Sequence, residues 1–449
     1  MKYIYSCLLC ALLSVSSLSA QNNHIEKHVN DRFAVKTQFF MGTYLDPSSN
    51  IKDIDPNAPT GLNLGIEFPS SRQRPWQQYL DDPTVGLGMS YYNLGNDVMG
   101  EGIAMYPYIL INVVRTRHFQ VSVKLAAGLT AVNGHYKATV NEVIPNRTFG
   151  SCINAYLSGG LNLDVPITRN LKINGELGFN HISNGRFSEP NKGANILYGG
   201  LGLVATLHPY EDAEAQPMVF PDLPYKWSLN ITGAAGAQNA DLADDHKFFI
   251  STFHIGGVYT ATNWYGVGLG MDVFFNDAVS NDTERGLFCK SHNYSNADKI
   301  RVGLSLNNEF RFGDVTAMVD WGVYVINPSR HYYEFDHSRY GHSSRLPLFY
   351  KTHGPGSQEA CHYIRFGLKY RIWDNMYLQA LAKTHRHIAE YIEFGVGYQI
   401  PFLRKDKRSE DRGRIFHHRR DWWRHPQRQK VQGSTNRRSF RRLHPRGTL

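Results

Sequence analysis

His181 and Ser183 stand one residue apart in the stretch GFNHISNGRFSEPNKGAN, residues 178–195, which runs on through Asn184-Gly185 and resumes after Pro190-Asn191-Lys192-Gly193. An imidazole hydrogen-bonded to a hydroxyl is the smallest unit that activates a serine nucleophile, because the ring takes the proton that the attacking oxygen must lose. On a β-strand, residues two apart share a face and lie about 7 Å apart at Cα, within reach of such a bond. The chemistry therefore depends on the element that carries the pair. The ordinary alternative is that His181, Ser183 and Asn184 only cap and turn a polar loop.

Strand parity identifies the element. In HFQVSVKLAAGL, Phe119, Val121, Val123 and Leu125 share one face, and Gln120, Ser122 and Lys124 the other. In KIRVGLSLNNEFRF, Ile300, Val302, Leu304, Leu306, Phe310 and Phe312 oppose Lys299, Arg301, Ser305, Glu309 and Arg311. YIRFGLKYRI sets Ile364, Phe366, Leu368 and Tyr370 against Arg365, Lys369 and Arg371, and YIEFGVGYQIPF repeats the pattern up to Phe402. A soluble β-sandwich also alternates in this way. Strand lengths of about 9 to 12 residues and aromatic residues flanking the apolar bands favour a membrane barrel.

Strands are expected near 33–42, 61–68, 84–93, 105–115, 118–129, 153–165, 170–183, 195–207, 226–233, 247–260, 263–275, 299–312, 314–326, 361–372, 375–384 and 390–402, sixteen in all. If the first rises from the periplasm, the tight connections RTRH, PITRN, TATN, FGD and IWDN fall on one side. Most long ones, 43–60, 130–152, 276–298 and 327–360, fall on the other. Connections 69–83 and 208–225 are long on the short side. The expected fold is an all-β, antiparallel transmembrane β-barrel of about sixteen strands. It closes either as one wide barrel or as an eight-stranded barrel over 33–207 followed by a second β unit over 226–402.

The ends differ from the body. Lys2, an apolar run from Cys7 to Leu18 and small residues up to Ala20 predict a cleaved export signal over 1–20, followed by a short segment over 21–32. The cysteines beyond the signal, Cys152, Cys289 and Cys361, are odd in number and form no complete disulfide framework. The formal net charge of +9 resides in residues 403–449, which hold 16 of the 48 Lys and Arg but only 4 of the 39 Asp and Glu, leaving 32 against 35 elsewhere. That tail is expected to be a disordered appendage, so no nucleic-acid partner is assigned.

Parity also places the opening pair. In LKINGELGFNHIS, Leu171, Ile173, Leu177 and Phe179 make the lipid face, and His181 and Ser183 continue it to the outer rim. Asn195 shares parity with Leu197, Leu201 and Leu203 on the next strand and faces outward too. Polar groups aimed at lipid are disfavoured, which weighs for catalysis on a lipid of the outer leaflet.

His181-Ile182-Ser183-Asn184 followed by Pro190-Asn191-Lys192-Gly193 resembles the signature of the outer-membrane lipid A 3-O-deacylases and the related bacterial acyloxyacyl hydrolases. The signature covers about 15 residues, and the likeness in strand order covers 33–207; the closing LAKTHRHIAEYIEFGVGY is similar to the end of longer members. The resemblance implies an outer-membrane esterase of a Gram-negative bacterium that removes the acyl chain at the 3-position of lipid A. Ser183 would be nucleophile and His181 general base, with N–H groups near Asn184 and Gly185 as oxyanion donors and no metal or organic cofactor.

In the family a Glu stands twelve residues after the serine, where this chain has Asn195. An amide oxygen orients an imidazole without supplying charge; Glu189, in the same connection, is the substitute carboxylate to consider, whereas Glu176 points inward. Arg186 and Lys192 are candidates for holding lipid A phosphates. His385 and His387, and the acidic cluster Asp241, Asp244, Asp245 and His246, lack a metal-ligand pattern. The competing function is a non-enzymatic outer-membrane barrel with a degenerate site, either a small channel lined by Arg301, Arg311, Arg365 and Lys369 or a surface scaffold. Oligomeric state is left open.

Overall fold

Sixteen antiparallel strands form, and they close on themselves twice. The computed structural model describes residues 33–45, 49–70, 75–137, 146–207, 225–241, 244–280, 296–327, 362–385 and 388–403. The export signal, the segment 21–32, most of the 208–225 connection, His387 and the basic tail after Leu403 lie outside the described residues.

The first barrel comprises β1 (Phe33–Tyr44), β2 (Thr60–Phe68), β3 (Thr84–Asn93), β4 (Glu101–Arg115), β5 (Gln120–Val132), β6 (Ile153–Pro166), β7 (Leu171–Ser183) and β8 (Ala194–Leu207). β1 pairs with β8 from Phe33↔Leu207 to Tyr44↔Ile196, which closes the sheet. The second comprises β9 (Tyr225–Asp241), β10 (Asp244–Thr260), β11 (Tyr265–Asn276), β12 (Ile300–Phe312), β13 (Val315–Ile326), β14 (His362–Arg371), β15 (Met376–His385) and β16 (Ile388–Leu403), with β16 paired to β9. Of the two arrangements the sequence allows, the chain adopts two barrels of eight. Two short helices, α1 (Ser49–Ile54) and α2 (Pro75–Tyr79), occupy the β1–β2 and β2–β3 connections. No helix among the described residues is long and apolar enough to cross a membrane; strands do the crossing.

The alternation expected from parity is the alternation observed. Leu161, Leu177 and Leu201 project outward from the first barrel and Leu269, Phe253 and Phe394 from the second, while the opposite positions are buried. An apolar outer band of this extent has no place in water and matches the lipid-facing wall of a barrel.

An eight-stranded barrel is just wide enough for its own side chains, and here polar ones fill it. In the first barrel Glu176 receives Lys36 at 2.7 Å and Lys124 at 2.8 Å, and Tyr198 donates to the same carboxylate. Higher up, Tyr92 donates to Tyr156 (2.8 Å) and Tyr156 to Asn180 (2.9 Å), packing the lumen behind His181. In the second barrel Arg365 bridges Asp272 and Glu393, each at 2.7 Å, Lys369 and Arg311 share Glu309 at 2.7 and 3.0 Å, and Arg301 pairs with Glu390 at 2.8 Å. The four cations expected to line a pore are instead held in ion pairs, Arg301, Arg365 and Lys369 buried and Arg311 half-buried. Unpaired charges in such an interior would be costly, so the pairs are what permit them there.

Candidate active site

The register between β7 and β8 sets His181 directly opposite Asn195 and Ile182 opposite Ala194. Facing residues of an antiparallel pair lie about 4.5–5.5 Å apart at Cβ, so the cross-strand neighbour of the imidazole is fixed by the ladder. Along the strand, Ser183 follows His181 on the same outward face. The result is a continuous chain of hydrogen bonds: Asn195 Oδ1 accepts from His181 Nδ1 at 2.7 Å, and His181 Nε2 lies 2.8 Å from Ser183 Oγ. With Nδ1 as donor, Nε2 is left with its lone pair toward the hydroxyl, the tautomer that a general base requires.

The connection after Ser183 covers the pair. Phe187 N–H donates to Asn184 O at 3.2 Å across a four-residue turn whose two central residues, Gly185 and Arg186, have φ of 61° and 64°. Positive φ at both centres is the signature of a type I′ turn, which Gly185 adopts without steric cost and Arg186 does not. Asn184 Nδ2 donates to Ser151 Oγ (2.9 Å) and Ser188 O (2.8 Å), and Gly193 N–H donates to Thr148 O (3.0 Å). The bonds to Ser151 and Thr148 fasten the connection to the segment leading into β6, and the bond to Ser188 closes it on itself. They leave Ser183 only 7% exposed, while His181 and Asn195 stay half-buried.

The residues singled out from sequence divide into those brought together and those drawn elsewhere. His181, Ser183 and Asn195 meet on the outer wall. Of the two expected oxyanion donors, the Asn184 N–H is occupied by Asn191 Oδ1 at 3.1 Å, whereas no acceptor takes the Gly185 N–H among the described residues. Glu189 does not substitute for the missing carboxylate. Its side chain receives Arg186 Nε at 2.8 Å and the Asn191 N–H at 2.9 Å, and His181 Nδ1 is already engaged by Asn195. Arg186 is buried in that ion pair, which braces the loop rather than displaying charge to a phosphate; Lys192 is exposed.

Two residues of the motif have placements that sequence reasoning missed. Gly193 has φ of 68°, and a Cβ there would lie 3.2 Å from Ser183 Cβ and 3.5 Å from His181 Cε1, so the glycine lets the backbone lie against the pair. Asn191 ties Glu189 and Asn184 into one loop through the bonds above. The Asn-x-Gly spacing was the visible sign of both, but it reads equally as a plain turn. Among the described residues no cluster of His, Cys, Asp and Glu has the arrangement of a metal site.

Comparison with known proteins places both halves of the chain. The family model described as Lipid A 3-O-deacylase (PagL) matches residues 60–203, and the one described as Acyloxyacyl hydrolase, C-terminal domain, matches residues 227–345 and 348–402. Among solved structures, the outer membrane enzyme PagL is 13% identical with a TM-score of 0.27, over 37% of this chain and 97% of that one. The N-terminal β-barrel domain of Pseudomonas aeruginosa OprF is 12% identical with a TM-score of 0.23, over 39% and 97%. Neisserial surface protein A is 7% identical with a TM-score of 0.24, over 39% and 95%. No curated protein matches the chain.

Proposed function

The chain belongs to the lipid A 3-O-deacylase and acyloxyacyl hydrolase family of outer-membrane barrels, and from that premise we propose that it is an esterase that removes the acyl chain at the 3-position of lipid A by Ser–His catalysis. The observation that carries this reading is the hydrogen bond between Ser183 Oγ and His181 Nε2, 2.8 Å, on the lipid-facing wall at the rim. A channel would have no use for such a pair on its outside.

Ser183 Oγ attacks the ester carbonyl and its proton passes to His181 Nε2. Negative charge gathers on the carbonyl oxygen, where the Gly185 N–H is the donor available to receive it. Collapse breaks the bond to the sugar oxygen, which leaves as the free 3-hydroxyl after taking the proton from His181. A water molecule, deprotonated by the same nitrogen, then attacks the acyl-serine and releases a fatty acid. Asn195 holds the ring in the working tautomer throughout. Because the pair faces the leaflet, lipid A reaches it sideways from the membrane, with Lys192 exposed at the rim as the remaining candidate partner for its phosphates.

Mass spectrometry of lipid A from cells with and without the protein tests the reading. The expected result is loss of one 3-hydroxyacyl chain with the wild type and none with Ser183→Ala. Unchanged lipid A masses in both would instead support a surface scaffold with a degenerate site, the reading favoured by the absence of a carboxylate at Asn195.

A further inference from the structure

The turn that follows Ser183 belongs to the first barrel but is held by the second. Among the described residues β16 pairs with β9 only as far as Glu393↔Gly236, so the upper edge of β9 continues beyond that ladder. An open edge leaves N–H groups that need an acceptor. The Asn239 N–H finds one in Arg186 O, at 2.9 Å, and Asn239 is 1% exposed although its parity faces outward. On β16 the outward residues Phe394 and Val396 are 67% and 49% exposed, whereas Ile392 is half-buried. What covers it is Gly185: a Cβ built there would lie 2.6 Å from Ile392 Cγ1. From β10, Lys247 Nζ sits 5.5 Å from the centre of the Phe187 ring. Three consecutive residues of the turn thus meet three strands of the other barrel.

The opposite rim is joined as well. Asn263 in the β10–β11 turn donates to Tyr79 Oη of α2, and a Cβ at Gly313 in the β12–β13 turn would lie 3.0 Å from Trp76 Nε1. Contacts at both ends fix one barrel against the other along their length. Meanwhile the clamped turn holds a strained residue, since Arg186, which carries a Cβ, sits in the left-handed region at φ 64°, a conformation that persists where the surroundings enforce it.

We propose that the second barrel is a positioning element of the active site, with Ile392 and the Asn239 N–H holding Gly185 and Arg186 so that the Gly185 N–H stays fixed for the oxyanion. A donor contributes to catalysis to the extent that it is preorganised. The role given to that N–H rests on the deacylase reading; the clamp itself rests on the contacts between the barrels.

The test is a set of Ile392 variants in the full-length protein, with three readouts. The first is kcat and KM on lipid A. The second is the rate at which a fluorophosphonate probe labels Ser183, displacing fluoride. The third is heat-modifiable gel mobility, which reports barrel closure. Ile392→Ala is expected to lower both kcat and the labelling rate about tenfold, short of the 10²–10³-fold loss from deleting an oxyanion donor outright, with KM and closure unchanged. Ile392→Val restores most of both rates, and Leu269→Ala, on a strand far from the turn, changes neither. Gly185→Ala forces a methyl into Ile392, and adding Ile392→Ala to it recovers at least about fivefold if the two residues are coupled.

Unchanged kcat and labelling in a closed Ile392→Ala barrel would overturn the proposal. If Ile392→Ala does not close, Gly185→Ala compared with the Gly185→Ala/Ile392→Val double variant decides it: the shorter valine should recover part of the lost rate, and no recovery in a closed barrel overturns the proposal. A wild type that leaves lipid A intact, yet is labelled at Ser183 more slowly after Ile392→Ala, would remove the deacylase reading and keep the clamp. A wild-type Ser183 that is not labelled removes both.

Discussion

Replacing Asn195 by aspartate tests how the imidazole is held. Asn195 Oδ1 accepts from His181 Nδ1 at 2.7 Å, and aspartate has the same length, so its oxygen can occupy the same place. When the proton of Ser183 reaches Nε2 the ring becomes cationic, and the acceptor on Nδ1 changes from a neutral amide to a carboxylate in the variant. A neutral hydrogen bond contributes about 0.5–1.5 kcal/mol net and one to a charged group about 1.5–3 kcal/mol. The difference, about 1–1.5 kcal/mol before the desolvation of a half-buried carboxylate reduces it, sets an upper limit of roughly five- to thirteenfold in kcat. Asn195→Ala removes the neutral bond and should lower kcat about two- to thirteenfold. The serine-protease template loses about 10⁴-fold on exchanging carboxylate for amide because the wrong tautomer forms. Here the amide presents its oxygen, so the correct tautomer is already held and a gain of that size is not expected. Initial rates on lipid A at saturating concentration, with Ser183→Ala as background, should rank Asp above Asn above Ala. Equal rates for Asn and Ala would refute an orienting role for Asn195, and a gain near 10⁴-fold for Asp would refute the tautomer assigned from the geometry.

Gly193→Ala places a methyl 3.2 Å from Ser183 Cβ at a φ of 68°; kcat and Ser183 labelling should fall about tenfold, since a displacement of about 1 Å can cost 10²-fold, while gel mobility stays that of the closed barrel. Arg365→Ala strands Asp272 and Glu393 in the lumen of the second barrel and should destabilise it by about 3–5 kcal/mol, read as a lower midpoint of denaturant unfolding in detergent. Wild-type protein in planar bilayers should show no channel steps, and ohmic conductance together with an unchanged Arg365→Ala midpoint would mean that water rather than ion pairs fills the barrel.

What could be read from sequence follows from a strand having a period of two. That period assigns a side to every residue, so it identified the outward positions of His181, Ser183 and Asn195 and the inward positions of Glu176 and Arg365 without any knowledge of partners. It says nothing about closure. Leu201 and Leu269 face lipid whether eight strands or sixteen share a barrel, and the pairing that decides, Phe33 with Leu207, joins residues far apart in the chain. Nor does parity extend into the turns. The Asn184 N–H goes to Asn191, and Glu189 to Arg186 instead of His181, through local side-chain bonds that depend on the exact course of a ten-residue connection. The contact of Ile392 with Gly185 lies further still from any local pattern.

Among the described residues the charged groups of both lumens are engaged in their own ion pairs, whereas the His–Ser pair lies on the outer wall. Among the described residues, only the first barrel is equipped there. Its seventh and eighth strands are joined by the long connection that carries the turn and Gly193. The corresponding strands of the second barrel, β15 and β16, are joined by a tight hairpin in which His385 already faces Ile388. A short hairpin brings no polar loop to the rim. It also leaves Ile392 and the upper edge of β9 clear, the two features against which the first barrel's turn rests. The lack of a polar loop between β15 and β16 and the second barrel's ability to brace the site on the first thus have the same structural cause.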